Sequence, residues 1–530
     1  MTTLGEALIR LLEAHGVDTV FGIPGVHTVE LYRGLASSGI RHITPRHEQG
    51  AGFMADGYAR ASGRPGVAFV ITGPGLTNTI TAMAQARADS VPMLVISGVN
   101  ATATLGLGRG YLHELPDQHG MMEKVALSSE RITRPDELAR ALSRAFTLFA
   151  SSRPGPVHIE IPIDVMAMPA GDLAAVPVQT APPALDKTLI AKAAALIAAA
   201  RKPLILAGGG ARNAEAELRR LAELIDAPVV QTVNGRGLMH AHPLVVPASP
   251  SLKAVRELMS GADVVIAAGT EFGPTDYDMY GDAGFVVPKT LVRIDLDAAQ
   301  LDRYPATVAI QADCAAALEA MLCCLSSTRD GSPASCSLGA RIAATTREAA
   351  FAEIGSAMQM QVGAVEQIRD ALPASIIVGD STQPVYAANL FYDHDRAGGW
   401  FNAATGFGAL GYGPPAAIGA AIAMPDAAVV CLAGDGGFQF TLPEIAVAAD
   451  TGAPVIFVIW NNRGYREIET SMRDIGVEPV GVSPQPPDFL KLAEAYKIPA
   501  ERLATAGELG AALRRAHAKR QPCIIEIAIE

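Results

Sequence analysis

Three times along the chain, short and almost wholly apolar runs alternate with segments of helical periodicity, and this pattern constrains the fold more than any other. The first stretch holds "DTVFGIPG", "GVAFVITGPG", "VPMLVISG" and "GPVHIEIPID"; the second holds "KPLILAGGGA", "APVVQTVNGRG", "ADVVIAAGTEF" and "TLVRIDLD". In the third the runs are "SIIVGDST", "AAVVCLAGDGG", "APVIFVIWNN" and "PCIIEIAIE". A run without a polar face needs cover on both sides, which a parallel sheet sandwiched between helices provides. We therefore expect an α/β protein of three consecutive doubly wound domains with mainly parallel sheets. The length of 530 residues agrees, since single cores stop growing beyond about 250–300 residues. Two aperiodic segments, "MPAGDLAAVPVQTAPPALD" and "CCLSSTRDGSPASCS", read as linkers and place the domains at residues 1–170, 186–328 and 345–530.

A net charge of −12 argues against non-specific binding to nucleic acid or an anionic membrane surface, both of which need a basic face. A small-molecule partner is the better expectation. The six cysteines form no CxxC pair, and four of them fall near the second linker; they read as reduced thiols of a cytoplasmic protein. The opening "MTTLGEALIRLLEAHGV" has apolar residues at helical spacing, as in an amphipathic helix and unlike a signal peptide. Gly208-Gly209-Gly210 lacks the last glycine of a dinucleotide fingerprint, Asn213 standing in its place, and reads as a tight strand-to-helix turn.

The third block carries the chemistry. One apolar run ends in Gly434-Asp435-Gly436 and the next in Asn461-Asn462, with 24 residues between Gly436 and Asn461. Strand ends at one edge of a parallel sheet are where open α/β sheets bind ligands. Asp435 and Asn462 there supply hard oxygen ligands suited to Mg2+, which usually binds together with phosphates. Gly434, Gly436 and Gly437 let backbone N–H groups approach those phosphates, and a helix expected from Thr441–Glu444 adds its positive end. Taken singly, Asp435 reads as a helix cap and the asparagines as a turn; their joint occurrence favours a diphosphate–Mg2+ site.

GDG, a gap of about two dozen residues and NN resemble the signature of thiamin-diphosphate-dependent enzymes of the acetolactate synthase/2-oxo acid decarboxylase family. The resemblance implies a pyrimidine-binding domain and a diphosphate-binding domain flanking a Rossmann-like central one, with thiamin diphosphate and Mg2+ as cofactors. It makes Asp435, Asn462 and the Gly464 carbonyl the metal ligands. "ATGFGALGYGPPAAIGA" is similar to the family segment that forces the cofactor into its bent form, which puts Leu410 beneath the thiazolium and the Gly408 carbonyl against the aminopyrimidine. "GDST" with Gln383 resembles a second diphosphate loop, bringing in Thr382 and Gln383.

In the first block "PRHEQGAGFMADGYARASGRPG" resembles the helix bearing the family's catalytic glutamate, here Glu48, and "GPGLTN" the loop over the pyrimidine, with Gly73, Pro74 and Asn78. Family architecture then implies an active site shared between two subunits of a homodimer or homotetramer.

Departures from the family's patterns bear on the substrate. Val26 stands where benzoylformate decarboxylases present serine, and His27 follows it. In "GYLHELPDQHG", His113 occupies the place of an acetolactate synthase glutamine; it is either a proton donor, for which imidazole suits, or a plain loop histidine. "GTEFGPTDYDMYG" replaces the flavin-binding motif, which makes FAD unexpected. Its Glu271, Asp276 and Asp278, among Tyr277 and Tyr280, are either a solvated acidic loop or a seat for a cationic, guanidino-bearing substrate tail. These segments look most like those of decarboxylases of 5-guanidino-2-oxopentanoate, and imply release of CO2 and 4-guanidinobutanal. The alternatives are an acetolactate synthase-like carboligase and, in a different class, a non-catalytic thiamin-binding relative.

Overall fold

The computed structural model describes residues 2–178, 180, 183–279, 281–326 and 338–529. The first domain has strands Thr19–Gly22, Arg41–Ile43, Gly66–Val70, Met93–Val99, Ser128–Arg131 and Pro156–Pro162 (β1–β6). The central one has Pro203–Ala207, Val229–Gln231, Val245–Val246, Val264–Ala268, Leu291–Asp295 and Val308–Gln311 (β7–β12). The third has Ile376–Gly379, Trp400–Asn402, Val429–Gly434, Val455–Asn461, Ala500–Leu503 and Cys523–Ala528 (β13–β18). Every pairing within these sheets is parallel. The apolar runs of the sequence are therefore strands covered on both faces, and β3, β4, β6, β10, β13, β15 and β16 are buried at every position.

Strand order is β2-β1-β3-β4-β6-β5 in the first sheet and β14-β13-β15-β16-β18-β17 in the third, so the outer domains share one topology. The central sheet runs β12-β11-β10-β7-β8-β9, the doubly wound nucleotide-binding order. The opening helix Leu4–Ala14 is amphipathic as expected and starts on a capping box between Thr3 and Glu6. Among the described residues, no helix is long and apolar enough to cross a membrane.

The second linker differs from its sequence reading. The helix Cys314–Ser326 runs through Cys323 and Cys324, because alanine and leucine outweigh the flanking serines as helix formers. Cys336 lies outside the described residues. The helix Leu338–Glu353 packs Ala343 and Ala350 into the core that covers β7 and β10.

Outer domains meet through the helices Glu48–Ser62 and Gly413–Ala423. A Cβ on Gly57 would lie 1.9 Å from the Ala416 carbonyl oxygen, and one on Gly419 2.0 Å from that of Met54, so the backbones touch and only glycine fits. Polar ties cross the same seam. Buried Arg60 pairs with Asp56 and Asp89, both at 2.7 Å, Tyr412 donates to Asp56, and Thr405 donates to Asp89. One guanidinium thus serves two buried carboxylates, with the Tyr412 and Thr405 hydroxyls adding hydrogen bonds to them.

Candidate active site

Both outer sheets present their chemistry where the strand order reverses, at the carboxyl ends of β1 and β3 and of β13 and β15, the place open α/β sheets bind ligands. In the third domain Asp435 follows β15 directly and is buried, and Asn462 follows β16. The helix after β15 begins at Asp435 itself, spans Asp435–Phe440, and is followed by a separate turn at Leu442–Glu444. The sequence reading placed that start at Thr441–Glu444; glycines at 436 and 437 do not delay it, since the N–H groups of a first turn need no helical partner.

The Asn462 side chain donates its amide to Gln383 Oε1 at 3.0 Å. Its oxygen then faces the Gly464 carbonyl oxygen at 2.9 Å and Asp435 Oδ1 at 3.3 Å. Turning the amide over would let it donate to both oxygens but would set its own oxygen against Gln383 Oε1. With the amide unturned, the Asn462 side-chain oxygen, the Gly464 carbonyl and Asp435 Oδ1 converge as three acceptors. An octahedral Mg2+ with bonds of about 2.0–2.1 Å spaces adjacent ligands by roughly 2.9 Å, so this donor set fits a small hard cation.

The floor of the cradle is built by Asp380, which accepts from the backbone N–H groups of Ser381, Gly411 and Gly413 at 2.8, 3.3 and 2.9 Å. This holds the turn bearing Gly408 and Leu410. Gly408 adopts φ +77°. Leu410 is half-buried and belongs to none of the hydrophobic core clusters, so ordinary core packing does not account for it. Thr382 stands at the N-cap position of the helix Gln383–Leu390, without a side-chain capping bond, beside Gly434, whose added Cβ would meet the Thr382 hydroxyl at 3.0 Å. Close backbone approach at Gly436 and Gly437 is likewise enforced by Tyr465 and Asp380.

In the first domain Glu48 opens the helix Glu48–Ser62, half-buried, with Asn78 Nδ2 donating to its Oε2 at 3.0 Å. "GPGLTN" is not the covering loop expected. Only Gly73, at φ +63°, is in the turn, and Pro74 to Asn78 already form the helix Pro74–Ala88, because proline suits a first helical position. His27 is buried, its Nε2 lying 2.9 Å from Asn100 Oδ1, and burial lowers its pKa while Asn100 works the other way. His113 adopts φ +60° and faces His27 with ring centroids 5.4 Å apart. The buried Nδ1 atoms of both rings have no partner among the described residues. Val26 is 67% exposed beside this pair.

Glu271, Asp276 and Asp278 are not brought to that pair. Glu271 pairs with Arg153 at 2.8 Å and Arg303 at 3.4 Å, Asp278 pairs with Arg256 at 3.3 Å, and Asp276 accepts from Val233 N–H at 3.1 Å. Arg153 also donates to Ser90, just past the far end of the helix Pro74–Ala88. The length of that helix, about 22 Å, separates Glu271 from the Gly73 turn. Glu271 and Asp278 are thus matched by arginines inside the chain, desolvation raises the pKa of half-buried Asp276 to about 6, and Tyr280 lies outside the described residues. Glu271 and Asp276 instead border a cavity of about 370 Å³ at the switch point of the central sheet, beside Gly209 and Gly210. The glycine turn packs there against Gly269, with Gly210 N–H donating to the Gly269 carbonyl at 3.0 Å, which explains the glycines structurally.

Periodicity gave no sign of Glu444. Only 1% exposed, it accepts from Arg46 N–H at 3.0 Å and His47 N–H at 3.0 Å, at the start of the Glu48 helix. An added Cβ on Gly50 would meet it at 2.2 Å. Burial pushes its pKa up from 4.5 to about 7, the Arg46 and His47 N–H groups and the Arg46 charge opposing and Glu48 reinforcing. With the folded value above the unfolded one, its contribution to stability is full below pH 4.5 and is lost as pH rises through about 7. Thermal melts should therefore show wild type losing stability relative to Glu444→Gln across that window; a difference that does not change with pH would contradict the assignment.

Comparison with known proteins agrees with this layout. Family models of thiamine pyrophosphate enzymes match residues 2–121 (N-terminal TPP binding domain), 190–321 (central domain) and 378–527 (C-terminal TPP binding domain). A probable 2-ketoarginine decarboxylase of Pseudomonas aeruginosa is 43% identical over 99% of this chain and 94% of its own. A probable acetolactate synthase large subunit of Methanocaldococcus jannaschii is 32% identical over 99% and 91%. The acetolactate synthase isozyme 1 large subunit of Escherichia coli is 32% identical over 87% and 82%. With all three domains matched in order and the strand-end residues assembled as described, the chain belongs to the thiamine pyrophosphate enzymes of the acetolactate synthase/2-oxo acid decarboxylase family.

Proposed function

We propose that this protein is a thiamin-diphosphate-dependent decarboxylase of 5-guanidino-2-oxopentanoate (2-ketoarginine), releasing CO2 and 4-guanidinobutanal. The observation that carries the decarboxylase reading is the His27–His113 pair beside the Gly73 turn, whose two buried Nδ1 atoms have no partner among the described residues. The substrate is supported by the 43% identical relative.

Asp435, Asn462 and the Gly464 carbonyl would hold Mg2+, and Gly434, Gly436, Gly437, Thr382 and Gln383 would receive the diphosphate. When bound, thiamin diphosphate supplies the carbanion chemistry that stabilises the electron pair left by CO2. Glu48 holds a proton at N1′ of the aminopyrimidine, oriented by Asn78. Leu410 would support the thiazolium, and the Gly408 carbonyl would accept from the 4′-amino group. His113 delivers the proton that leads to aldehyde, with His27 tilted against it, ring centroids 5.4 Å apart, and oriented by Asn100.

A single chain does not complete this site. The helices Glu48–Ser62 and Gly413–Ala423 run antiparallel, Gly57 against Ala416 and Met54 against Gly419. Glu48 and the start of the second helix, next to Leu410, then lie at opposite ends of the packed pair, roughly 18 Å apart at 1.5 Å per residue. Thiamin diphosphate cannot span from Glu48 to the same chain's Leu410 and Asp435, so two copies share each site, in a homodimer or homotetramer.

The test is a panel of 2-oxo acids that includes pyruvate, benzoylformate and 5-guanidino-2-oxopentanoate, with CO2 and aldehyde measured. The guanidino acid is expected to give the highest kcat/KM, with aldehyde equal to CO2. Turnover of pyruvate with accumulation of acetolactate would establish the carboligase instead.

A further inference from the structure

The geometry points to Gln118 as a positioning residue that, braced by Glu160, sets the spacing of His27 and His113; the inference rests on the proposed role of those histidines. Gln118 is 2% exposed and begins the helix Gln118–Val125, five residues after His113. Its Oε1 accepts from the Thr72 hydroxyl at 2.7 Å and Gly73 N–H at 2.9 Å. Its Nε2 donates to Glu160 Oε2 at 2.7 Å and to the Gly98 carbonyl at 3.2 Å.

The two glycines it grips are the ones against which the histidines rest. A Cβ on Gly73 would lie 2.5 Å from the His113 carbonyl oxygen, and a Cβ on Gly98 would lie 2.2 Å from that of His27. One amide group thus ties the backbone behind one histidine to the backbone behind the other. Only one orientation works, because a turned amide would set its oxygen against the Glu160 carboxylate and the Gly98 carbonyl while offering N–H to the donors at Thr72 and Gly73.

Glu160 is fully buried in β6 and would be costly there without partners. Its second oxygen is ion-paired with Arg131, on β5, which reaches the surface. Ser97, also within reach of Gln118 Nε2 at 3.4 Å, is held by His158 at 2.8 Å. Burial pushes His158 down to about 3, so it is neutral and can accept from that hydroxyl. The bracket therefore crosses from β5 through β6 and β4 to the end of β3. His113, whose carbonyl lies against Gly73, is itself in the left-handed region at φ +60°.

The test compares Gln118→Ala, and Gln118→Glu, which keeps the volume but points an oxygen at Glu160. In folded protein that still binds the cofactor, kcat should fall about 10- to 100-fold, the cost expected of a displacement near 1 Å. In a His27→Ala/His113→Ala background the same change should cost less than about twofold further, because residues acting through one another are not additive. Wild-type kcat in both Gln118 variants, or an undiminished further loss in the histidine-free background, would overturn the inference. Should the single variants His27→Ala and His113→Ala keep full activity, the reading of the histidines fails, and this inference with it. Impaired histidine variants beside unimpaired Gln118 variants would sink the positioning role alone.

Discussion

Replacing Glu48 by glutamine is expected to lower turnover by roughly 10²- to 10⁴-fold, the range that a positioned acid–base group contributes. The substitution keeps the shape and the hydrogen bond from Asn78 but removes the group that can hold a proton at N1′. Because the proposed Mg2+ holders are Asp435, Asn462 and the Gly464 carbonyl and not Glu48, Mg2+-dependent binding of thiamin diphosphate should persist. Calorimetric titration with the cofactor, run beside CO2 release, separates the two effects. Unchanged turnover in Glu48→Gln would remove the mechanism proposed here.

Asp435→Ala is expected to act on retention of the cofactor. Asp435 is the one carboxylate among three converging oxygens, and the other two are neutral carbonyl oxygens of Asn462 and Gly464. Loss of hydrogen-bonded groups merely behind metal ligands already costs 10- to 100-fold in affinity, so loss of the charged ligand should weaken Mg2+-dependent cofactor binding by at least about 100-fold. Folding should be little affected, since Asp435 belongs to no internal ion pair among the described residues. Gel filtration of the loaded enzyme, followed by assay of the cofactor that remains bound, measures this directly. Tight binding by Asp435→Ala without Mg2+ would refute the ligand set.

The two proposals differ in how plainly the chain announces them. Strands such as Val429–Gly434 and Val455–Asn461 are legible because continuous apolar runs admit only burial on both faces, and the polar residues that end them are then necessarily at a sheet edge. The proposed role of Glu48 rests on its surrounding motif. The acidic segment at Glu271–Asp278 stays ambiguous in the sequence, because composition does not reveal that Arg153 and Arg303 stand opposite Glu271 and Arg256 opposite Asp278. Cys323 and Cys324 misled for a smaller reason: helix propensity in the preceding residues carried the helix further than the serines suggested.

Glu444 and Gln118 were invisible for a physical reason that applies to both. Each acts through hydrogen bonds to backbone groups many residues away, Glu444 on Arg46 and His47, Gln118 on Gly73 and Gly98. No local period or spacing encodes such a partner. From the order of residues come the three parallel sheets, the cofactor class and the strand ends at which Asp435 and Asn462 must lie, because these follow from short-range pattern and burial. The pairing of His27 with His113, the turn held by Asp380, and the separation of Glu48 from Leu410 within one chain follow from how helices and strands pack at long range. That packing is set by glycines that let backbones touch and by buried polar groups that must find partners wherever the fold places them.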